Sequence, residues 1–562
     1  MSVLAKSGTG PGSRARVAWL LRVNRRLGPD PALRQLRTFA AAFHGGSFRR
    51  EVSASAVSRW ETGQTAVPWE AVRRYEELLG LERNLLTATA RTVSRYLAPG
   101  VVRTVEPAGP AGEPLEDLLE QAVAGCLMTG DAWDRLVDGL CERPDVNLLQ
   151  AGTWSRLAER LVEEMVRADG LPWMLRFESL NRLLNHPRAV PYVVRACADL
   201  ASGPARSSAT EIICALDNCD HPAAADRVLA ELSEPSSLPA RRGAVMACFR
   251  KTSYRHFPPD RLADLVRSLH EWAPAASPLG DQDEPLRAHL AALRPEHARA
   301  LLGPAWTGTR QPLGERPRVS GRPHTRGDGR SALLWHPAPW AVPLRAGTRG
   351  HWPSLLRRVA GHVDSNVPVS DSTSADEVGI PASLLAETLV PPLFDVRLYA
   401  CFLLAATPYR AAFADALVAE LGRPAARLTP EAAVPLLDAL RVVGDARHRP
   451  AVEELAVRPG VPRPVTYAAV RSLGHVAADA AETGHLRTAV AQQRAVWRRA
   501  STETSAATLM SLVYALGMAS RTDVLTDVLT EIRADASTLP GAREAAACWL
   551  AVPTHLRASA QL

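Results

Sequence analysis

Between Val52 and Pro68 the chain reads V-S-A-S-A-V-S-R-W-E-T-G-Q-T-A-V-P, and the types and spacing of these residues suit hydrogen bonding to a nucleic acid. Ser53 is placed to cap a helix that runs from Ala54 to about Thr62, its hydroxyl accepting from an amide near Ala56. Val57 and Trp60, three residues apart, then point to one side. Ala54, Ser55, Ser58 and Arg59 are expected to face outward together, with Thr62 at the helix end. A small polar face carrying one long guanidinium is what a helix needs to lie in a major groove about 12 Å wide and address base edges. Gly63 supplies a left-handed stop, and Pro68 opens the next helix.

The flanking elements that must hold this segment are helical by their apolar period. Val17, Leu20, Leu21 and Leu27 mark a first helix over residues 14–27, stopped by Gly28-Pro29-Asp30-Pro31. Leu33, Leu36, Phe39, Ala40 and Phe43 mark a second over residues 32–43, broken by His44-Gly45-Gly46-Ser47. After Pro68 a third runs over residues 69–79, with Val72, Tyr75 and Leu79 inward and Gly80 as its stop, and helix continues to about Leu97.

Val52-Ser53-x-Ser55-x-Val57-Ser58-Arg59-Trp60-Glu61-x-Gly63-x-x-x-x-Pro68 resembles the recognition helix and following turn of Xre-type (phage-repressor-like) helix-turn-helix domains, here of the actinomycete kind. The resemblance covers residues 14–81. It implies that Ser53 caps the recognition helix beside a phosphate and that Ala54, Ser55, Ser58 and Arg59 occupy base-facing positions. It implies core positions for Val57 and Trp60, and an acidic position at Glu61 that pairs with an arginine of the first helix; Arg22, Arg25 and Arg26 are the candidates. One departure is the approach to the recognition helix. The family uses a tight turn of three or four residues, whereas residues 44–52 make nine here. That insertion carries Phe48, Arg49 and Arg50, and two arginines ahead of a recognition helix could add phosphate contacts, which position without specifying.

Charge is distributed to match. Residues 1–100 hold 16 basic and 7 acidic side chains, net +9, against 50 and 52 in the remaining 462 residues, net −2. The excess therefore surrounds the candidate reader, as an electrostatic footprint for nucleic acid would. An arginine-rich solvated face would give the same count. Basic residues are 64 Arg and 2 Lys, a bias of the kind high-GC genomes produce. The eight cysteines sit in apolar, helical runs without a Cys-x-x-Cys pair and read as buried hydrophobes in a reducing compartment. Cys214, Cys219 and His221 lie close in sequence but lack a second ligand pair. There is no signal-peptide core and no run of eighteen apolar residues, so a cytoplasmic protein without a membrane partner is expected.

At 562 residues the chain is long enough for three or four domains at about 150 residues each. With aromatics at 5% and Ala, Leu and Arg abundant, an all-α fold is expected. Residues 1–13 read as a disordered tail, 14–98 as the helix-turn-helix domain, 99–114 as a linker, and 115–302 as an α-helical repeat block. A Pro/Gly/Arg-rich linker over 303–380, its ends pinned by Trp335, Trp340 and Trp352, then leads to a C-terminal HEAT-like helical block over 381–562. The repeat reading rests on His186-Pro187 recurring at His221-Pro222, thirty-five residues on, with Phe257-Pro258 following. Near the C-terminus L-L-D-A-L-R-V-V-G-D from Leu436 is echoed by V-R-S-L-G-H-V from Val470 and V-Y-A-L-G-M-A from Val513. Such units bury their faces only by stacking into a solenoid; an irregular helical bundle is the alternative.

Catalytic signatures are missing. No Gly-x-x-x-x-Gly-Lys-Ser/Thr occurs, the glycines at 8, 10 and 12 follow no strand, and there is neither a Gly-x-Ser-x-Gly elbow nor His-Glu-x-x-His. His270-Glu271 and His362-x-Asp364 are isolated pairs. The expectation is a non-enzymatic, sequence-specific transcriptional regulator that needs no cofactor or metal. It would bind double-stranded DNA as a homodimer, act in development or secondary metabolism, and use its helical body for dimerisation or signal input. The alternative is a solenoid scaffold that binds a protein or peptide on its repeats, with the DNA module accessory.

Overall fold

The computed structural model of the chain describes residues 11–46, 48–97, 114–142, 149–203, 208–254, 256–258, 261, 264–265, 352–366, 380–390, 394–423, 429–458, 460–476, 484–499, 503–519, 523–560 and 562. Among these residues the secondary structure is helical throughout, the one β feature being an isolated Gly45–Phe48 bridge. The fold is all-α, as expected. The linker at 99–113, Trp335, Trp340, the side chain of Trp352 and the pair His270-Glu271 lie outside the described residues.

Two compact units are present, one made of Met1–Arg182 with Trp335–Leu562 and the other of Leu183–Leu334. The division falls inside the stretch 115–302. In the second unit α10 (Val190–Ser202), α11 (Ala209–Cys214), α12 (Pro222–Ser233) and α13 (Leu238–Tyr254) pack on one another, following α6 (Leu115–Ala124), α7 (Gly130–Glu142), α8 (Ala151–Met165) and α9 (Gly170–Leu184) in the chain. The two His-Pro pairs there have a mechanical role. His221 Nδ1 accepts from Ala223 N at 3.2 Å and caps α12, while His186 Nδ1 accepts from Arg188 N and Ala189 N at 3.2 Å each ahead of α10.

The first unit begins with α1 (Pro11–Arg26), α2 (Leu36–Ala41), α3 (Ala54–Glu61), α4 (Trp69–Leu79) and α5 (Leu85–Leu97). Residues 11–13, expected to belong to a disordered tail, are helical instead: Pro11 starts α1 and Ser13 is buried, its hydroxyl 2.9 Å from that of Ser94, while residues 1–10 lie outside the described residues. The second helix is also shorter than residues 32–43. Asp30 Oδ1 accepts from Ala32 N at 2.8 Å and holds a turn, so helix begins only at Leu36.

α1 packs on α3, α4 and α5, and α5 packs on the helix Phe394–Ala405. Helices α1–α5 therefore share a core with the C-terminal helices. Arg16 Nη2 meets Glu387 Oε1 at 2.7 Å with both side chains buried, and Asn24 Nδ2 donates to Ala406 O at 2.8 Å. Tyr96 of α5 stacks on Tyr399 with ring centroids 3.9 Å apart. The stretch read as a linker over 303–380 contains a helix, Trp352–Asn366, whose Leu355, Val359 and Val363 recur every four residues and are buried. From there to the C-terminus every second helix contacts the next but one: Phe394–Ala405 packs on Pro430–Val443, that on Arg463–Leu473, that on Glu503–Ala519, and that on Pro540–Ala551.

The Arg16–Glu387 pair makes the union of α1 and the C-terminal helices testable. Glu387→Gln leaves a buried guanidinium without its counter-charge, an expected loss of about 3–5 kcal/mol. A drop in the urea midpoint of the full chain, with far-ultraviolet dichroism unchanged in the absence of denaturant, would carry this expectation. An unchanged midpoint would count against it.

Candidate nucleic-acid interface

α3 starts where Ser53 ends the extended chain: with φ −80° and ψ 151°, Ser53 accepts from Ala56 N at 3.2 Å through its hydroxyl. The helix closes at Glu61, Thr62 is its C-terminal cap, and Gly63 turns the chain at φ +70°. Thr62 Oγ1 donates to Ser58 O at 2.8 Å, which holds its side chain against the last turn.

Two sides of α3 differ sharply. Val57 is fully buried and Glu61 is buried beside it. Trp60 is half-buried in an aromatic cluster, its ring centroid 5.6 Å from Phe43 and 6.4 Å from Phe48. On the other side, Ser55 and Arg59 are exposed and Ser58 and Thr62 half-exposed. At roughly 100° per residue these four fall within an arc of about 100°. Ala54 does not join them as expected. It is half-buried and packs against the core together with Val52, because its position on the helix lies next to Val57 and Glu61 rather than opposite them. Ser53 is exposed, with its hydroxyl 2.9 Å from that of Ser55.

The inner end of α3 is fixed by ionic and hydrogen bonds. Arg25 of α1 places Nε 2.7 Å from Glu61 Oε1 and Nη2 2.7 Å from Glu61 Oε2, a two-pronged pair buried on both sides. The resemblance offered Arg22, Arg25 and Arg26 for this role, and Arg25 fills it. Tyr75 of α4 donates its hydroxyl to Glu61 Oε1 at 2.9 Å. Burial draws the Arg25 guanidinium down, but its bonds to Glu61 and the carboxylate charge outweigh this and leave it above its ordinary value. Burial first, and the Glu61 charge second, raise the Tyr75 phenol well above the usual tyrosine value.

The insertion before α3 is ordered by packing. Gly45 and Phe48 exchange backbone hydrogen bonds at 2.8 and 3.0 Å, and Phe48 is buried between Phe43 and Trp60. Gly46 sits at φ +54°, a left-handed backbone that favours glycine, with the ends of the Glu77 and Arg74 side chains lying over it. Arg74 of α4 donates to Ala42 O at 2.8 Å and to Phe43 O at 3.0 Å, satisfying carbonyls at the end of α2. With Phe48 pinned, Arg49 and Arg50 follow on the exposed side just ahead of α3.

Long-range pairing also changes the charge argument. Arg16, Arg83, Arg91 and Arg95 pair with Glu387, Asp131, Asp134 and Glu178, all beyond residue 100. Much of the N-terminal excess is therefore neutralised within the fold. The exposed arginines that meet no carboxylate among the described residues include Arg49, Arg50 and Arg59, and also Arg37 on α2. Arg37 was not among the expected site residues. Its signal was available, because it lies opposite the buried Phe39 on the α2 wheel.

Comparison with protein-family models, curated proteins and solved structures returns no match.

The Tyr75–Glu61 bond yields a pH expectation. The folded chain keeps the Tyr75 proton to higher pH than the unfolded chain, whose tyrosines titrate near about 10. Stability from this group is therefore present below about pH 10 and declines as pH rises through it. At pH 8 Tyr75→Phe should cost about 1–3 kcal/mol for the lost bond to a carboxylate. That deficit relative to wild type should narrow at alkaline pH, read from urea midpoints across the range, and a constant deficit would refute the assignment.

Proposed function

We propose that the chain is a sequence-specific DNA-binding transcriptional regulator in which α3 enters the major groove of a duplex. The observation that carries this reading is the outward arc of Ser55, Ser58, Arg59 and Thr62 on a helix rooted by Glu61 and flanked by unneutralised arginines. Short hydroxyl side chains let a helix approach base edges closely, and a guanidinium can take two acceptors of a guanine at once. Ser53 at the exposed start of α3, with Arg49 and Arg50 just ahead of it in the chain and Arg37 on α2, would grip phosphates and set the register. Ala54, packed against the core, is assigned a spacing role at the margin of this face.

One such helix reads a half-site, so operator binding as a homodimer on two half-sites one helical turn apart follows. The next-but-one packing of the C-terminal helices supports a repeat body of the HEAT type, suited to dimerisation, signal input or a peptide partner. A role in development or secondary metabolism belongs to the same proposal, as does a cytoplasmic location; no helix among the described residues is long and apolar enough to cross a membrane.

Selection of duplexes from a randomised pool by the full chain should return a two-fold site. Arg59→Ala should then weaken binding by about 1–3 kcal/mol and relax one base preference. Substituting Arg49 and Arg50 together should lower affinity for all sequences alike and reduce the salt slope by about 2. No binding to any duplex at low salt would dismiss the proposal and favour the scaffold reading.

A further inference from the structure

A serine or threonine hydroxyl has one proton, and on the outer side of α3 the neighbouring bonds decide where that proton goes. Thr62 spends its proton inside the helix: Oγ1 donates to Ser58 O at 2.8 Å, with Arg59 O at 3.3 Å as a second acceptor. What Thr62 turns outward is therefore oxygen lone pairs. At the other end of α3, Ser53 Oγ accepts from Ala56 N at 3.2 Å. The same oxygen lies 2.9 Å from Ser55 Oγ, a contact in which either hydroxyl can be the donor. Ser53 and Ser55 are both exposed, so a duplex seated on α3 meets this pair directly.

A phosphate settles the direction of the Ser53–Ser55 bond. The oxygens of a phosphodiester carry no proton and only accept, so gripping one takes the single proton of Ser53. Ser55 must then be the donor of the pair. The Ser53 oxygen receives from Ala56 N and from Ser55, which fills its two lone pairs, and the phosphate, both hydroxyls and the Ala56 amide are satisfied together. With its proton spent on Ser53, Ser55 faces the groove as an acceptor only.

We propose that Ser55 selects a base with an exocyclic amine in the major groove, the N6 amine of adenine or the N4 amine of cytosine, and that Ser53 sets this polarity by holding a phosphate. Guanine O6 and thymine O4 are acceptors and offer Ser55 nothing to bond. Every base pair carries one amine and one carbonyl in that groove, so the choice falls on which strand carries the amine. A·T is told from T·A and C·G from G·C, whereas A·T and C·G bind alike. Arg59, exposed four residues on, supplies the donors for a guanine. Four helical residues span about 6 Å and base pairs stack about 3.4 Å apart, so the amine lies within about two base pairs of that guanine. Ser55 touches the base, and Ser53 is a positioning residue that acts through it. The inference rests on the reading of α3 as a major-groove helix and adds to it the polarity of one contact.

The test starts from the duplex that the full chain selects from a randomised pool, remade with each base in turn at the positions flanking the guanine whose preference Arg59→Ala removes. At one of them adenine and cytosine should bind alike, and guanine and thymine about fivefold more weakly. A purine lacking the N6 amine should join the weaker class, and Ser55→Ala should bind all four bases alike there. Ser53→Gly keeps a residue that starts helices well but removes the acceptor of the Ser55 proton. Its affinity should fall and the discrimination at this one position should vanish, since Ser55 can then also donate to guanine O6 or thymine O4, while the guanine preference of Arg59 persists. Ser53→Asp, which caps and accepts but cannot donate, should bind more weakly through repulsion of the phosphate and still prefer adenine and cytosine. Tight binding with a guanine or thymine preference at the position sensitive to Ser55→Ala, with no such position, or with a discrimination that survives Ser53→Gly would overturn the inference and leave the DNA-binding reading standing. Failure to bind any duplex would overturn both.

Discussion

The carboxylate of Glu61 is buried in the last turn of α3, and the orientation of that helix depends on how its charge is met. Water cannot solvate it there, so the charge is tolerable only with near-ideal partners. Arg25 supplies a planar fork from α1 and Tyr75 a hydroxyl from α4. Three helices thus converge on one group, and a rotation of α3 about its axis would break at least one of these bonds. Losing one partner of a buried pair costs about 3–5 kcal/mol, a substantial share of the roughly 5–15 kcal/mol that holds a typical domain together. The outward arc of α3 is consequently presented at one angle, a requirement for any surface that reads a rigid duplex.

α1 carries this constraint into the rest of its unit. Arg25, near its C-terminus, serves α3, while Arg16 and Asn24 reach Glu387 and Ala406 O on the other side. Nearly every residue from Ser13 to Arg25 is buried or half-buried, so α1 has no solvated face to slide on. Interiors are packed like crystals and transmit displacement. A shift of the helix that carries Glu387 must therefore move Arg16 or break its pair. In a regulator with a helical sensing body, α1 is the element on which input and reading would meet.

Local chemistry made α3 legible in sequence. Ser53 as cap, Val57 inward, Gly63 as stop and Pro68 as the next start each follow from properties of one residue and its close neighbours. What was hidden depended on distant partners or on the company a segment keeps. The buried stripe Leu355, Val359 and Val363 has a plain helical period, but proline, glycine and arginine around it masked the signal. The late start of α2, at Leu36, reflects the Asp30 turn, a single side-chain bond competing with helix. Glu76 shows the long-range case. Its carboxylate accepts from Asn84 N at 2.9 Å and Thr87 N at 2.7 Å, anchoring the start of α5 from α4 across a turn that no periodicity reveals.

The arginine bias illustrates why a charge count over sequence misleads about a surface. A guanidinium presents several donors in one plane and suits the unsatisfied carbonyls at helix C-termini. Arg160 donates to Gln121 O at 2.9 Å and Ala122 O at 2.6 Å, at the end of α6. Arg410 reaches Val443 O at 3.0 Å and Gly444 O at 3.2 Å, and Arg449 reaches Val476 O at 2.7 Å and Leu473 O at 3.3 Å. Each closes the end of a neighbouring helix, where a positive charge also meets the negative end of the helix dipole. Arginines in such places are structural, and their charge is already spent on the fold. Among the described residues Arg37, Arg49, Arg50 and Arg59 are exposed and bond neither a carbonyl at a helix end nor a carboxylate, so which arginines the fold uses says more about this surface than their number does.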